Sequence, residues 1–232
     1  GYIGKNSVLA KSFVKNYNKK FKFKCYIGDI NKHSKLVGWF KKNTDINIFI
    51  NFAAITSPID CEKYKKKSLK TNFKSPIKLL NIIKNIDMKN FNYFLCISSS
   101  HVFEKSFYKL KEESIKKPSN YYGFTKLNLE NYILANSSNF KFKIGIARIF
   151  NYYNHGTKKG FFINDLIEKL KNKDQIIKFK NTNTYRDFIS MKNINTALYK
   201  MINLRLSNDF NICSGQKIYL PNIIKILNKK YK

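Results

Sequence analysis

Arginine, histidine and cysteine are scarce in this chain, with three, three and four copies among 232 residues. Cys25, Cys61, Cys96 and Cys213 stand far apart, without the close pairing that ligates zinc or runs thiol redox chemistry, so they are expected reduced and mostly buried. His33, His101 and His155 are equally scattered, and no metal site is expected. Long apolar runs are missing as well. None approaches the length of a membrane span, and no basic-then-apolar leader opens the chain, which points to a soluble, cytoplasmic protein with no membrane partner.

Acidic residues number 14 against 45 basic ones, a formal net charge of +31. A nucleic-acid partner is one explanation. The lysines are spread through the whole chain, however, interleaved with Asn, Ile and Phe as in "NKKFKFK" and "IIKNIDMKNFNYF". That is a global compositional bias and argues against a dedicated nucleic-acid face, although a basic coat attracts any anionic ligand. With 43% hydrophobic and 16% aromatic residues the chain is a folding one, long enough for one substantial core.

Strand-like and helix-like segments alternate. Strands are expected at Phe21 to Ile27, Ile46 to Ala54, Tyr93 to Ser98 and Phe142 to Phe150, several of them nearly continuous apolar runs as in strands buried on both faces. Helical periodicity covers Lys5 to Tyr17, Lys35 to Lys42, Glu62 to Asn85, Tyr121 to Ala135 and Phe162 to Lys171. This alternation predicts an α/β fold with a doubly wound parallel sheet. The last third is a looser mixture, so residues 1–150 are expected to form the sheet domain and 151–232 a smaller lobe. The opening "GYIGKNSVLA" reads as a glycine turn entering a helix without a strand to feed it. The first strand is therefore expected to be missing from the chain, and the end at "LNKKYK" is similarly abrupt.

Several short motifs fall at the ends of these strands. Gly1 and Gly4 precede a helix, where a backbone can approach a phosphate closely. "GDI" at 28–30 follows a strand, and its aspartate could cap a helix or receive an adenine. "INFAAIT" ends a strand in two alanines, which suit either a ligand or packing. "CISSSHVF" ends another strand in hydroxyls at the edge where open α/β sheets bind ligands. "SNYYGFTK" then places Tyr122 and Lys126 on one helical face. Roughly three Tyr-x-x-x-Lys pairs are expected by chance here, yet Tyr122 with Lys126 is the only one, so its weight comes from its neighbours. "ARIFN" at 147–151, "YRDFI" at 185–189 and "FNICSG" complete the series.

In order and spacing these motifs resemble the extended short-chain dehydrogenase/reductase family, the NAD-dependent epimerases, dehydratases and reductases of nucleotide sugars, truncated here at both ends. The resemblance covers nearly the whole chain and implies a Rossmann-like domain with a C-terminal substrate lobe. It makes Ser99, Tyr122 and Lys126 the catalytic residues. Gly1, Gly4, Asp29, Ile30, Ala53, Ala54, Asn72 and Ser98 become cofactor-binding positions, together with Tyr122 and Lys126, and Ser100, Asn151 and Arg186 substrate-binding ones. The cofactor is NAD or NADP, undecided because Lys20, Lys22 and Lys24 would tolerate a 2′-phosphate in a chain where lysine is everywhere. The partner implied is a nucleotide-sugar substrate, with a possible homodimer through the helices after Glu62 and Tyr121.

The chemistry suits these residue types. A free phenol has a pKa of about 10, and a nearby ammonium favours the phenolate, so Lys126 is expected to draw Tyr122 towards the working range. Arg186 retains a planar fork where composition favours lysine, as a diphosphate or a carboxylate such as Asp187 would require; Arg148, within a strand, is expected to be structural. The family's 4,6-dehydratases carry an acidic residue after the catalytic hydroxyl. Ser100 and His101 stand there instead, which disfavours dehydration and leaves epimerisation or 4-keto reduction. "NYYNHGTKKG" also departs from the family's substrate loop. Two alternatives remain: a non-catalytic dinucleotide-binding regulator or scaffold of the same fold, and a basic nucleic-acid-binding protein.

The choice of phenol is testable. Tyr122→Phe is expected to leave cofactor affinity nearly unchanged and to lower turnover by orders of magnitude. Tyr121→Phe is expected to act weakly on the chemical step, and a comparable collapse would mean that the wrong phenol was chosen.

Overall fold

The computed structural model describes residues 1–153, 162–171 and 182–231. In chain order, β1 (Tyr2–Ile3), α1 (Val8–Tyr17), β2 (Cys25–Tyr26), α2 (His33–Lys41) and β3 (Ile48–Asn51) lead into a helical stretch. That stretch comprises α3 (Pro58–Lys63), α4 (Lys65–Leu69), a π-helical turn (Lys70–Lys74) and α5 (Ser75–Asn85). Then come β4 (Tyr93–Ser99), a 3₁₀ turn (Ser100–Val102), α6 (Tyr121–Ala135), β5 (Lys143–Ile149), β6 (Asn151–Tyr153) and α7 (Phe162–Lys171). The chain closes with β7 (Tyr185–Arg186), β8 (Phe188–Ser190), α8 (Met191–Leu204), β9 (Asn208–Ile212), β10 (Ile218–Tyr219) and α9 (Leu220–Tyr231).

Six strands form one parallel sheet in the order β2-β1-β3-β4-β5-β9. The expected doubly wound α/β architecture is present. Successive strand residues face opposite sides, and both sides are apolar. Phe49, Phe94, Cys96, Ile144 and Ile146 pack with Leu36, Leu79, Leu80 and Leu129 of α2, α5 and α6. Ile50, Tyr93, Leu95, Ile97, Ala147 and Ile149 pack with Leu9, Phe13, Ile194, Leu198 and Ile202 of α1 and α8. Burial on two faces is the reason β4 and β5 read as unbroken apolar runs.

Two sequence expectations are corrected. The place of the missing first strand is held by β1, which pairs with β2 and β3 on either side through Tyr2 and Ile3. The single helix expected from Glu62 to Asn85 is interrupted at Tyr64, whose φ of −119° and ψ of 54° leave the helical region, and again by the π turn. Beyond residue 150 the chain returns to the sheet, where β9 pairs with β5 and α8 covers one face.

One buried charge cluster spans these elements. Arg148 of β5 is fully buried; its guanidinium bonds both Glu130 oxygens at 2.7 to 3.2 Å and also meets Asp209 of β9. Its Nη1 donates to the Glu112 carbonyl at 3.3 Å, and Ser98 Oγ donates to Glu130 Oε1. Arg148→Met would leave Glu130 buried without its cation, which costs about 3–5 kcal/mol. Urea unfolding of the variant is expected to show a loss of that order; a loss within about 0.5 kcal/mol, as for a neutral surface change, would contradict the network's role.

Candidate active site

β4 delivers three serines in succession at its carboxyl end, and the pleat sends neighbours to opposite faces. Ser98 turns to α6 and donates to Glu130. Ser99 has extended backbone, caps the 3₁₀ turn by accepting the His101 amide at 3.3 Å, and neighbours the Tyr122 phenol. Ser100 opens the turn and is half-buried.

α6 starts where the sequence predicts it because Asn120 caps it. Its backbone is extended, and its Oδ1 accepts the Gly123 amide at 2.9 Å. Gly123 is required by contact: a Cβ there would lie 2.1 Å from the His101 carbonyl oxygen. The helix therefore rests directly on the 3₁₀ turn, and Tyr122 comes to Ser99. One turn later Lys126 is buried, with Nζ donating to the Ile97 carbonyl at 2.8 Å and lying 5.9 Å from the centre of the Tyr122 ring. Tyr121 is directed elsewhere. Its amide donates to Glu62 Oε1 at 2.8 Å, and its ring meets Phe124 and Lys65.

The electrostatics differ from the sequence expectation. Burial pushes the Tyr122 phenol well above its ordinary value, and the neighbouring Ser99 hydroxyl offsets this only in part. Burial also lowers Lys126, against the opposing pull of Cys96, Glu130 and Cys61. Desolvation dominates, so Tyr122 stands as a protonated phenol.

The remaining predicted positions separate into two groups. Gly4 follows β1 at φ +93°, and a Cβ there would lie 2.7 Å from Ala53 N and Phe52 C. Only glycine suits that conformation and that approach. Gly4 and Ala53 thus meet at adjacent strand ends, ahead of the α1 N-terminus, a cradle that fits a dinucleotide phosphate, with half-buried Ala54 next in the chain. Gly1 is not part of it. It lies at the opposite, amino end of β1, where its amine donates to the Ile48 carbonyl at 2.7 Å. Asp29 is exposed and forms a turn, its Oδ1 accepting from Asn31 N and Nδ2, each at 2.9 Å. Ile30 is a core residue whose side chain is 3% exposed.

Asn72 sits within the π-helical turn, fully buried and occupied at both ends of its amide. Oδ1 accepts the Ile55 amide at 2.8 Å, and Nδ2 donates to the Ile55 carbonyl at 2.9 Å and to Thr125 Oγ1 at 3.1 Å. It ties the β3 exit to α6 instead of presenting a side chain to a ligand. Asn151 Nδ2 donates to the Asp187 carbonyl at 3.2 Å, joining β6 to the segment between β7 and β8. Arg186 is exposed and bonds Thr184 Oγ1 at 2.6 Å and the Tyr185 carbonyl at 2.8 Å, while Asp187 accepts from the Ser214 amide. His155 and the rest of the predicted substrate loop at 154–161 lie outside the described residues.

Sequence reasoning missed Asn120, Gly123, Thr125 and Glu130. Asn120 was legible as a helix cap, and Glu130 as one of few acids, spaced i,i+4 from Lys126.

The six-stranded parallel, doubly wound sheet is that of a Rossmann-like fold. The chain belongs to the NAD dependent epimerase/dehydratase family, whose model matches residues 6–213. It is similar to a GDP-6-deoxy-D-talose 4-dehydrogenase of Aggregatibacter actinomycetemcomitans, 28% identical over 57% of this chain and 45% of that protein. It is similar also to a GDP-6-deoxy-D-mannose reductase of Pseudomonas aeruginosa, 25% identical over 64% of this chain and 52% of that protein. The chain thus spans about half the length of these curated relatives. Among solved structures, RMD from Pseudomonas aeruginosa complexed with NADPH has a TM-score of 0.85 at 21% identity, over 99% of this chain and 82% of that one. A UDP-glucose 4-epimerase from Thermotoga maritima with UDP-glucose has a TM-score of 0.85 at 16% identity, over 98% and 81%. At these identities the structures establish the shared fold.

Gly123→Ala is expected to destabilise the protein by about 1–3 kcal/mol, the usual cost of overpacking. Its Cβ meets backbone on the 3₁₀ turn, which has little freedom to give. Urea melts would measure this, and a variant of unchanged stability would contradict the close packing of α6 on the turn.

Proposed function

We propose that the protein is an NAD(P)-dependent oxidoreductase acting at C4 of a nucleotide-activated sugar, a 4-keto reductase in the first instance and a 4-epimerase in the second. The observation that carries this reading is the convergence of the Ser99 hydroxyl, the Tyr122 phenol and the Lys126 ammonium at the carboxyl end of β4. When bound, the nicotinamide cofactor would supply or accept the hydride. Its phosphates would lie against Gly4 and the α1 N-terminus, with Ala53 and Ala54 beside it.

The protein's own groups handle the oxygen and its proton. Ser99 orients the sugar oxygen by hydrogen bonding, and Tyr122 delivers a proton to that oxygen as it gains negative charge. The protonated phenol is the form that donates, as reduction of a carbonyl requires. Lys126, anchored on the Ile97 carbonyl, supplies the positive charge that stabilises the phenolate left behind. Arg186, exposed beside the strand ends, offers a fork for the diphosphate. No carboxylate follows Ser99, so 4,6-dehydration is disfavoured. We further propose a cytoplasmic enzyme and a homodimer through α3 to α6, where Ile59, Tyr64 and Phe124 are exposed.

The test is to titrate NADH and NADPH into the protein by nicotinamide fluorescence, then supply GDP-6-deoxyhexoses with NAD+ or NADP+ and follow reduced nicotinamide. Saturable binding and turnover are expected, with Ser99→Ala lowering kcat by about 10²–10⁴-fold at similar cofactor affinity. Failure of both cofactors to bind would favour a non-catalytic role.

A further inference from the structure

His101 has no part in the roles above, yet it adjoins the reacting phenol. Its ring centre is 5.5 Å from that of Tyr122, at an interplanar angle of 69°, and its amide bonds Ser99 Oγ. An imidazole can remove a proton from a sugar carbon only by presenting a bare nitrogen to it. Which nitrogen is bare is decided by Asn120.

The Gly123 backbone amide can only donate, so the Asn120 atom that receives it is the amide oxygen. The NH₂ group of Asn120 is thereby turned to His101, 2.8 Å from Nδ1. An amide NH₂ also only donates, so Nδ1 holds the lone pair and the proton of the neutral ring is on Nε2. Protonating Nδ1 would set N–H against N–H. The other groups facing the ring are Tyr122 on α6, uncharged, and Arg186 on β7, cationic. Burial first and Arg186 second hold His101 below the ordinary histidine range. The Asn120 contact would favour the cation only if Nδ1 donated, which the helix cap forbids.

We propose that His101 is a specificity-determining residue that stays neutral, donates a hydrogen bond from Nε2–H to a sugar oxygen beside C4, and abstracts no proton from a sugar carbon. This rests on the hydride-transfer reading above and narrows it. A neutral imidazole polarises or orients an oxygen without accepting a proton there. The substrate class is then a nucleotide sugar with a hydroxyl or carbonyl next to C4, altered at C4 alone. Inversion at C3 or C5 would require a base that His101 does not provide.

The tautomer is read on the protein alone by long-range ¹H–¹⁵N correlation with labelled histidine, assigning His101 from the signal lost in His101→Gln. A bare Nδ1 and a protonated Nε2 are expected at neutral pH. Asn120→Asp keeps a capping oxygen but presents an acceptor to the ring. It is expected to move the proton to Nδ1 and raise the His101 midpoint by about one pH unit or more, as a neighbouring carboxylate does. Turnover in D₂O is expected to leave C3 and C5 free of deuterium, and His101→Gln to raise the sugar KM about tenfold, the scale of one lost hydrogen bond, at unchanged NAD(P)H affinity. A wild-type ring protonated at Nδ1, an unmoved tautomer in Asn120→Asp, or His101-dependent deuterium entry at C3 or C5 would each overturn the proposal. The wild-type spectrum decides alone if Asn120→Asp does not fold. Absence of turnover strikes the hydride-transfer reading, whereas a wrong tautomer strikes this one.

Discussion

The buried guanidinium of Arg148 is the interaction on which the architecture turns. It lies in the fifth strand of the sheet and is bound by Glu130 from α6 and Asp209 from β9. Removing a cation and its carboxylates from water is costly, and mutual attraction repays that cost only when each group is satisfied. Here Glu130 bonds both Arg148 and Ser98, and the remaining guanidinium nitrogen reaches the Glu112 carbonyl. The geometry leaves α6 little freedom to slide or rotate. Because Tyr122 and Lys126 are on that helix, the position of the phenol is set by a salt bridge it does not touch.

A second constraint acts from the other side of α6. Asn72 clasps both backbone groups of Ile55 and the Thr125 hydroxyl, and the π turn that carries it brings its amide between the β3 exit and the helix. π turns of this kind recur at functional sites, where they re-aim one side chain within an otherwise regular helix. Together with the contact of Gly123 against the His101 carbonyl, they fix the helix at its N-terminus, its middle and its inner face. What the site requires of these residues is placement more than reactivity.

Much of the fold was legible. The bounds of α6 and α7 coincide with those expected, and β4 differs by one residue, because long apolar runs and a clear helical period leave few competing readings. β2 shrank from a seven-residue expectation to Cys25–Tyr26, since a strand is defined by its partner and β1 offers it only Tyr2 and Ile3. The interruptions between Glu62 and Asn85 carry no local signal at Tyr64. At the site, the motif order singled out Ser99, Tyr122 and Lys126 for their residue types, but the contacts of their neighbours were less visible. Ser98 and Ser99 could not both face one ligand, as a period of two already implies. The protonated state of Tyr122 depends on burial, which sequence spacing does not report. The partners of Arg148 come from distant segments, and nothing local announces them.

The carboxylate from β9 has a consequence for how the molecule is made. A ribosome emits α6 and the arginine strand well before Asp209, and domains acquire structure in the order their segments emerge. Until that last sheet strand arrives, Arg148 has one carboxylate partner instead of two, and the edge of β5 is an open row of unpaired amides and carbonyls. The end of the sheet around β4, β5 and α6 therefore gains its last charge partner late in synthesis, although most of its residues are translated early. A chaperone or a neighbouring nascent chain would meet an exposed parallel edge in that interval, where β9 lies in the finished protein.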